Sequence, residues 1–233
     1  METALTPEAL ASYIDQTLLK PYASDADFEA FCADAAAYGF KMVAINSAPV
    51  KRCKAYLEGT PVLVGAAIGF PLGQTTVACK VYETEEAIKD GADEIDYVIN
   101  IGALKSGNTA YIEDEMRRIV SVCRKHGKTV KVIFENCYLT DAEKRTLCEI
   151  ARRVRPDFIK TSTGFGTPPA GVAVGATAAD VRLMKQIVGD AVKVKAAGSI
   201  RTLADALTMI EAGAERIGTS AGVQIIEELK RQC

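Results

Sequence analysis

Residues 90–95 read DGADEI, and residues 212–217 read AGAERI. In each segment a glycine ends an amphipathic helix pattern, and the residues after it begin a strand pattern. The two segments lie far apart in the chain but share one structural role, the turn from a helix into a strand. Their repetition indicates a fold built from successive strand and helix units.

The same alternation extends outward from these segments along the whole chain. Strand patterns alternate with helix patterns eight times, and Thr6 and Pro7 predict a short extra helix at the N-terminus. The predicted strands are residues 13–19, 41–46, 62–70, 94–100, 129–135, a short strand around Lys160, 192–197 and 215–219.

No linker rich in Pro or Ser divides these units. Strands alternating with helices over about 250 residues are typical of a (β/α)₈ TIM barrel. We therefore expect an α/β fold, a single TIM barrel that forms one domain over residues 1–233. An open doubly wound sheet is the alternative, but its nucleotide-binding fingerprint, G-x-G-x-x-G after the first strand, is missing from the sequence.

Composition and charge exclude several classes of function. The net charge is −2, with acids and bases interspersed, so no nucleic-acid partner is expected. No apolar run reaches the length of a membrane span and no signal-peptide pattern is present, so we expect a cytoplasmic protein without a membrane partner. The seven cysteines form no CxxC pair and are expected to be reduced. His126 is the only histidine, which argues against His-rich metal sites, and neither a metal nor a cofactor is expected.

Residues 158–166, FIKTSTGFG, place a lysine inside a short predicted strand that leads into a loop of small residues. Alternation along the strand puts Lys160 on one face with Phe158 and Ser162. Burial beside such neighbours disfavours the ammonium form and makes the amine available as a nucleophile, which suggests Schiff-base chemistry. For a single lysine taken alone, a structural lysine on an edge strand would be the commoner situation.

Polar residues recur on the strand faces that would point into the barrel. A barrel built only for stability fills its interior with branched apolar side chains, and substrates bind at the carboxyl ends of the strands. The polar residues at these positions therefore indicate a functional site. They are Asp15, Asn46, Asp96, Asn100, Lys131, Glu135, Lys160, Lys193 and Lys195. Asp15 and Asn46 are expected to bind substrate, although Asp15 could instead orient Lys195.

Lys160 and Lys195 are predicted on adjacent strands at similar depth. Two ammonium groups at such a short distance repel each other, so one of them loses its proton more easily and becomes nucleophilic near neutral pH. Asp96 could then transfer protons. A salt bridge from Lys195 to Asp96 or Glu135 is compatible with such a role, whereas for Lys193 a purely structural salt bridge is preferred.

The loops predicted after strands six, seven and eight read STGFG, AGSIRT and GTSAG. Two of these loops lead into helix N-termini. The backbone N–H groups and hydroxyls of the loops suit a bound phosphate. Ordinary turn glycines explain any one of these loops alone. Three such loops at the usual phosphate position of the fold indicate a phosphate site.

Several segments resemble the deoxyribose-phosphate aldolase family over nearly the whole chain. They are IDQTLLKP at 14–21, GFPLG at 69–73, DEIDYVINIGALKSG at 93–107, FIKTSTGF at 158–165, VKAAGSIRT at 194–202 and GTSAGV at 218–223. The resemblance implies a class I aldolase of deoxyribose phosphate catabolism. Such an enzyme cleaves 2-deoxy-D-ribose 5-phosphate to glyceraldehyde 3-phosphate and acetaldehyde. It also implies a homodimer.

The same resemblance implies a role for individual residues. Lys160 matches the Schiff-base lysine, Lys195 the family's second lysine, and Asp96 the aspartate of its EID motif. The residues that fall on its phosphate-binding loops are Gly164, Gly198, Ser199, Gly218 and Ser220.

The sequence departs from the family pattern at four places. Gln16 stands where a His is common, Ser47 where a Pro is common, and Ser199 where a Gly is common. The chain also ends at Cys233 without the tyrosine that some members use in proton transfer, so Asp96, Lys195 and water are expected to take that role.

Two other functions stay open at this point. The same lysine chemistry could act on another sugar phosphate, since related Schiff-base barrels handle ketose phosphates. The chain could also be a phosphate-binding barrel that has lost catalysis, because Ser199 could crowd the phosphate.

Overall fold

The computed structural model describes residues 5–232, which form the predicted barrel. Eight parallel strands close one sheet in chain order, and β8 pairs with β1. The open doubly wound sheet is therefore excluded. The strands are β1 (Ile14–Leu18), β2 (Met42–Asn46), β3 (Leu63–Ile68), β4 (Glu94–Val98), β5 (Thr129–Ile133), β6 (Phe158–Lys160), β7 (Lys193–Ala197) and β8 (Arg216–Thr219).

Helices connect successive strands and cover the outside of the barrel. They are α1 (Pro7–Ala11), α2 (Asp25–Tyr38), α3 (Val50–Tyr56), α4 (Val77–Lys89), α5 (Ile101–Lys105), α6 (Thr109–Lys125), α7 (Asp141–Val154), α8 (Ala178–Val188), α9 (Leu203–Glu211) and α10 (Gly222–Lys230). None of the helices within residues 5–232 combines the length and the apolarity that a membrane crossing needs.

The local signals read from the sequence operate as expected at several helix ends. The N-terminal helix α1 begins after Thr6, whose hydroxyl accepts a hydrogen bond from the backbone N–H of Ala9. Thr140 and Glu143 form the predicted capping box of α7. Gly91 and Gly213, in the two repeated segments, have φ of +108° and +106°, a backbone conformation that L side chains rarely adopt. The repeated helix-to-strand turn is thus confirmed at both places.

Several strands end earlier than the sequence pattern suggested, β1 by one residue and β3, β4 and β5 by two. Residues 99–100 and 134–135 continue the apolar and polar alternation, but β4 ends at Val98 and β5 at Ile133. Asn100 instead caps α5, an unpredicted helix, by accepting from the Ala103 N–H at 3.0 Å. Glu135 has φ of +57° and precedes a 3₁₀ turn, Asn136–Tyr138. At Asn100 a side chain that bonds to the local backbone ended the strand where hydrophobic alternation alone would have continued it, and at Glu135 the positive φ did so.

The apolar core lies between the barrel and its helices. Val43, Ile95 and Val132 on the outer face of the sheet are fully buried there. Each such side chain contributes about 1.5–3 kcal/mol on burial. Because the core is outside the sheet, the inner face is free to carry polar side chains.

Candidate active site

Charged side chains fill the inside of the barrel. Seven of them are at most 6% exposed: Asp15, Glu94, Asp96, Lys131, Lys160, Lys195 and Arg216. Strand register brings them together, since Asp96 lies beside Lys131, and Lys160 lies beside Lys195. Buried charges are stable only when paired, and each of the seven has at least one partner of opposite charge within 4 Å.

Lys160 and Lys195 share one carboxylate oxygen. Their Nζ atoms donate to Oδ2 of Asp96 at 2.9 and 2.8 Å. The two amines therefore lie within two hydrogen-bond lengths of each other, as their positions on adjacent strands predicted. The predicted salt bridge from Lys195 to Asp96 is present together with this close lysine pair.

Asp96 binds three lysines. Its other oxygen, Oδ1, accepts from Lys131 Nζ at 2.7 Å. Burial by itself raises the pKa of Asp96, but the three ammonium groups outweigh burial and hold that pKa well below its ordinary value. Asp96 is consequently a strong counter-ion and a weak base.

The electrostatic environment of Lys160 favours a neutral amine. Burial lowers the pKa of Lys160 to about 8; Asp96 opposes this shift, while the nearby charges of Lys195 and Lys131 add to it. A lysine with a pKa near 8 is partly unprotonated near neutral pH and can attack a carbonyl carbon.

Asp15 lies beneath this cluster. It is fully buried and forms ion pairs of 2.5 Å with both Lys195 and Arg216. Arg216 also pairs with Glu94 at 3.1 Å, and Glu94 pairs with Lys131. Asp15 thus contacts Lys195 and is not among the residues that line the cavity described below.

A cavity of about 480 Å³ opens above Lys160 at the carboxyl ends of the strands. This volume suits a small-molecule ligand. Lys160 lines the cavity, and so do all five residues predicted for the phosphate: Gly164, Gly198, Ser199, Gly218 and Ser220. Asp96 and Lys195 do not line the cavity; Asp96 contacts both Lys160 and Lys195.

The loop after β7 packs too closely for ordinary side chains. Gly198 has φ of +85°, and a Cβ there would lie 2.9 Å from the Cα of Gly175. Ser199 follows with φ of +61°, in the left-handed region. Glycine adopts such a backbone conformation more readily than serine, and the Ser199 side chain is exposed at the cavity.

A sequence profile described as DeoC/LacD family aldolase matches residues 9–228. The chain belongs to this aldolase family. It is 53% identical to a deoxyribose-phosphate aldolase of Bacteroides thetaiotaomicron over 226 residues, which cover 97% of this chain and 92% of that protein. A deoxyribose-phosphate aldolase of Thermococcus kodakarensis is 52% identical, with 94% of this chain and 96% of that protein covered.

Solved structures agree with this membership. The deoxyribose phosphate aldolase of Aeropyrum pernix, described as a unique tetramer, superposes with a TM-score of 0.87 at 32% identity. The match covers 98% of this chain and 94% of that one. An aldolase named QR15 superposes with a TM-score of 0.88 at 39% identity, with 96% of each chain covered.

Two of the residues that depart from the pattern of this aldolase family, Gln16 and Ser47, have local structural partners. Gln16 accepts through Oε1 from the Gly222 N–H at 3.0 Å, at the start of α10. Ser47 donates to Glu83 Oε1 at 2.8 Å, and Glu83 accepts from Gly69 N–H at 2.9 Å. Both replacements thus hold backbone near the carboxyl ends of strands. Cys233 lies outside the described residues.

Two other polar residues that the sequence singled out, Asn46 and Lys193, are not among the residues that line the cavity. Asn46 donates to the Leu19 carbonyl at 3.4 Å. Lys193 is exposed and lies over the Phe158 ring at 5.6 Å; within residues 5–232 it makes no ion pair, so the predicted salt bridge is wrong. It starts β7 at the end of the barrel opposite the cavity, where solvent is accessible.

Glu135 organises the loop that carries Gly164. Its carboxylate accepts from the Thr163 N–H at 3.1 Å and from the Thr163 hydroxyl. The same hydroxyl accepts from the Phe165 N–H at 3.0 Å. Burial raises the pKa of Glu135, against hydrogen bonds from Thr163 that lower it. A strained buried residue here fixes the backbone on both sides of Gly164.

Glu94 and Arg216 are the members of the charged interior that sequence reasoning missed. Each lies two residues before an inward-facing position, Asp96 and Gly218 respectively, so strand alternation alone could have identified them. In the structure each is the first residue of its strand, where a charged residue is usually exposed.

Proposed function

We propose that this chain is a deoxyribose-phosphate aldolase, which cleaves 2-deoxy-D-ribose 5-phosphate reversibly to D-glyceraldehyde 3-phosphate and acetaldehyde. The observation that carries the proposal is Lys160 on the floor of the cavity, sharing Asp96 Oδ2 with a second lysine. The family membership and the names of the similar proteins support the choice of substrate.

Lys160 acts as the nucleophile in this proposal. Its neutral amine adds to the aldehyde carbon C1 of the open-chain sugar, and the resulting carbinolamine loses water to form an iminium ion. The C3 hydroxyl then loses its proton, the C2–C3 bond breaks, and its electron pair moves toward the iminium nitrogen. Glyceraldehyde 3-phosphate leaves and an enamine remains. Protonation at C2 and addition of water release acetaldehyde and restore Lys160.

Asp96, Lys195 and water divide the proton transfers and the electrostatic stabilisation. Asp96 holds both amines on Oδ2 and stays next to the nitrogen when it becomes a cation. Because its pKa is well below the ordinary value, Asp96 contributes mainly as a counter-ion. Lys195 and a water molecule then carry protons to and from the hydroxyls, help that is typically worth about 10²–10⁴-fold in rate.

The substrate phosphate binds, in this proposal, at the three loops around Gly164, Gly198, Ser199, Gly218 and Ser220, all of which line the cavity. Asn46 contacts the sugar from the end of β2, and Asp15 supports it indirectly through Lys195. No metal or cofactor takes part in these steps.

Reduction of the trapped imine tests this proposal directly. The protein is incubated with acetaldehyde, reduced with borohydride and mapped by peptide mass spectrometry, with Lys160→Leu as the matched control. We expect a two-carbon adduct on Lys160 that the control lacks. An adduct on Lys195 would reverse the roles of the two lysines. The absence of any adduct in folded protein would contradict the Schiff-base mechanism.

A cleavage assay separates the substrates. Glyceraldehyde 3-phosphate release from 2-deoxy-D-ribose 5-phosphate is compared with cleavage of fructose 1,6-bisphosphate under the same conditions. We expect turnover of the deoxyribose phosphate. Faster cleavage of the ketose phosphate would assign the chain to the other substrate class, and thermal stabilisation by both compounds without turnover would indicate a binding protein.

Three further properties belong to the same proposal. We expect residues 1–233 to be one domain, the protein to be cytoplasmic, and the assembly to be a homodimer. Sedimentation equilibrium distinguishes this dimer from a tetramer such as that described for the Aeropyrum pernix relative.

A further inference from the structure

The charged interior of the barrel has two layers. The upper layer, next to the cavity, consists of Asp96, Lys160 and Lys195. The lower layer consists of Asp15, Glu94, Lys131 and Arg216. Glu94 and Arg216 are the first residues of β4 and β8, so they lie at the end of these strands away from the cavity.

The two layers contain one more basic side chain than acidic ones. Three carboxylates face three lysines and one arginine, and all seven groups are at most 6% exposed. Solvent therefore screens a surplus charge poorly. Among these seven groups the charges balance when one lysine loses its proton; Glu135, which is also buried, lies outside the two layers.

Lys160 contacts fewer carboxylates than any of the other three basic side chains in the two layers. Within 4 Å, Lys131, Lys195 and Arg216 each contact at least two carboxylates. Lys160 contacts one, Asp96, and shares it with the other two lysines. Proton loss from Lys160 thus breaks the fewest ion pairs and removes the surplus charge.

We propose that Glu94 and Arg216 set the protonation state of Lys160 from the far end of the barrel, and with it the pH range in which the enzyme is active. The inference rests on the proposed function. Both residues act as positioning residues through contiguous ion pairs. Glu94 reaches Asp96 through Lys131, and Arg216 reaches Asp96 through Asp15 and Lys195.

Other charged groups also act on Lys160, and the test has to leave them in place. They are Asp96 on β4, Lys131 on β5, Glu135 just after β5 and Lys195 on β7. None of these four is substituted in the experiment below. A shift in the titration of Lys160 then reports the lower layer.

We expect substitutions of Glu94 and Arg216 to shift the pKa of Lys160 in opposite directions. Glu94→Gln removes a negative charge, so the pKa of Lys160 should fall. Arg216→Met removes a positive charge, so that pKa should rise. A unit charge about 10 Å away, at an effective dielectric constant of about 20, moves a pKa by about one unit. Arg216→Lys keeps the charge and should leave the pKa within a few tenths of the unsubstituted value.

Two measurements follow the pKa of Lys160. The first is kcat/KM for 2-deoxy-D-ribose 5-phosphate over several pH units on each side of about 8, because its acidic limb reports the nucleophile in the free enzyme. The second is the pH-dependent rate at which acetic anhydride acetylates Lys160, quantified by peptide mass spectrometry. The second measurement needs no turnover. Circular dichroism confirms that each variant is folded.

The expected result is an acidic limb about one pH unit lower in Glu94→Gln and about one unit higher in Arg216→Met, with parallel shifts in the acetylation profile. Unchanged limbs, or shifts of the same sign, would overturn the inference. If Arg216→Met does not fold, Glu94→Gln and Arg216→Lys decide it alone. Acetylation shifts without deoxyribose phosphate cleavage would refute the proposed function and leave this inference standing.

Discussion

Two buried lysines of this protein have similar burial but different surroundings. Lys80, between α4 and α6, is fully buried and donates to Glu115 Oε1 at 2.6 Å and to the Val98 carbonyl at 2.7 Å. Glu115 has no other lysine partner in the described chain and accepts from the Asn100 N–H through Oε2. Lys160 instead shares its carboxylate with two more lysines and lines a cavity.

The comparison shows that burial alone does not make a lysine reactive. Burial lowers the pKa of both lysines. Lys80, however, does not share its carboxylate with another lysine in the described chain, and it is fully buried, so no ligand can reach it. At Lys160, like charges add to the effect of burial, and a carbonyl compound can reach the amine. Lys80 and Glu115 join the end of β4 to α4 and α6, whereas the amine of Lys160 lies where it can react with a bound ligand.

The largest expected effects are a loss of activity when Lys160 is replaced and a loss of stability when Lys80 is replaced. Lys160→Leu should reduce kcat by about 10⁴-fold or more, because no other amine in the site can form the imine from the same position. Stability should change little, since Asp96 keeps two lysine partners. Steady-state kinetics and urea unfolding measure the two effects. Substantial remaining activity would contradict the assignment of the nucleophile.

Replacing Lys80 should reduce stability and leave the reactivity of Lys160 in place. Lys80→Met leaves Glu115 buried without a cation, so we expect a loss of about 3–5 kcal/mol in the free energy of unfolding. The folded fraction should still form the acetaldehyde adduct on Lys160. The double variant Lys80→Met/Glu115→Met is the control, and it should be more stable than the single variant because no unpaired charge remains. Equal losses in both would argue against this explanation.

A buried carboxylate without a lysine partner extends the comparison. Glu135→Gln weakens the hydrogen bonds to Thr163, so the loop around Gly164 should lose its fixed geometry. Loss of one charge-assisted hydrogen bond predicts an increase of about tenfold in KM for 2-deoxy-D-ribose 5-phosphate, with a smaller change in kcat.

Unphosphorylated 2-deoxyribose is the matched control for this variant, because it lacks the group that the Gly164 loop is proposed to bind. Its cleavage rate should change little. Thr163→Val should reproduce the effect, and the double variant should add nothing further, since both substitutions remove the same contact. A loss of activity that is equal for both sugars would mean that Glu135 acts on the chemistry itself.

The smallest expected effect concerns a neutral residue at the rim of the cavity. Ser199 has φ of +61°, which glycine adopts without strain. Ser199→Gly should therefore raise the free energy of unfolding by less than about 1 kcal/mol, since the relieved strain exceeds the added flexibility of the unfolded chain only slightly. Urea unfolding measures it. A clear loss of stability would show that the serine hydroxyl has a structural partner.

Strand alternation and helix caps were enough to predict the barrel and which polar residues face its interior. Asp96, Lys160 and Lys195 were identified because each is a polar residue on the inner face of a strand, and the structure brings them together at Asp96 Oδ2. Alternation predicted several strands too long. For β4 and β5 the reason is that it does not register that Asn100 caps a helix or that Glu135 leaves the strand with a positive φ. It also did not distinguish the exposed Lys193 from the buried lysines.

The sequence by itself determined the order of strands and helices, the glycines at the loops and the residue types on the inner face, because these depend on periodicity and local backbone preference. Tertiary structure decided which carboxylate each base contacts. Residues as distant as Asp15 and Arg216 become partners only when β8 closes against β1. The surplus positive charge in the cluster around Lys160 therefore depends on barrel closure, which collects charges from six strands in one unsolvated space.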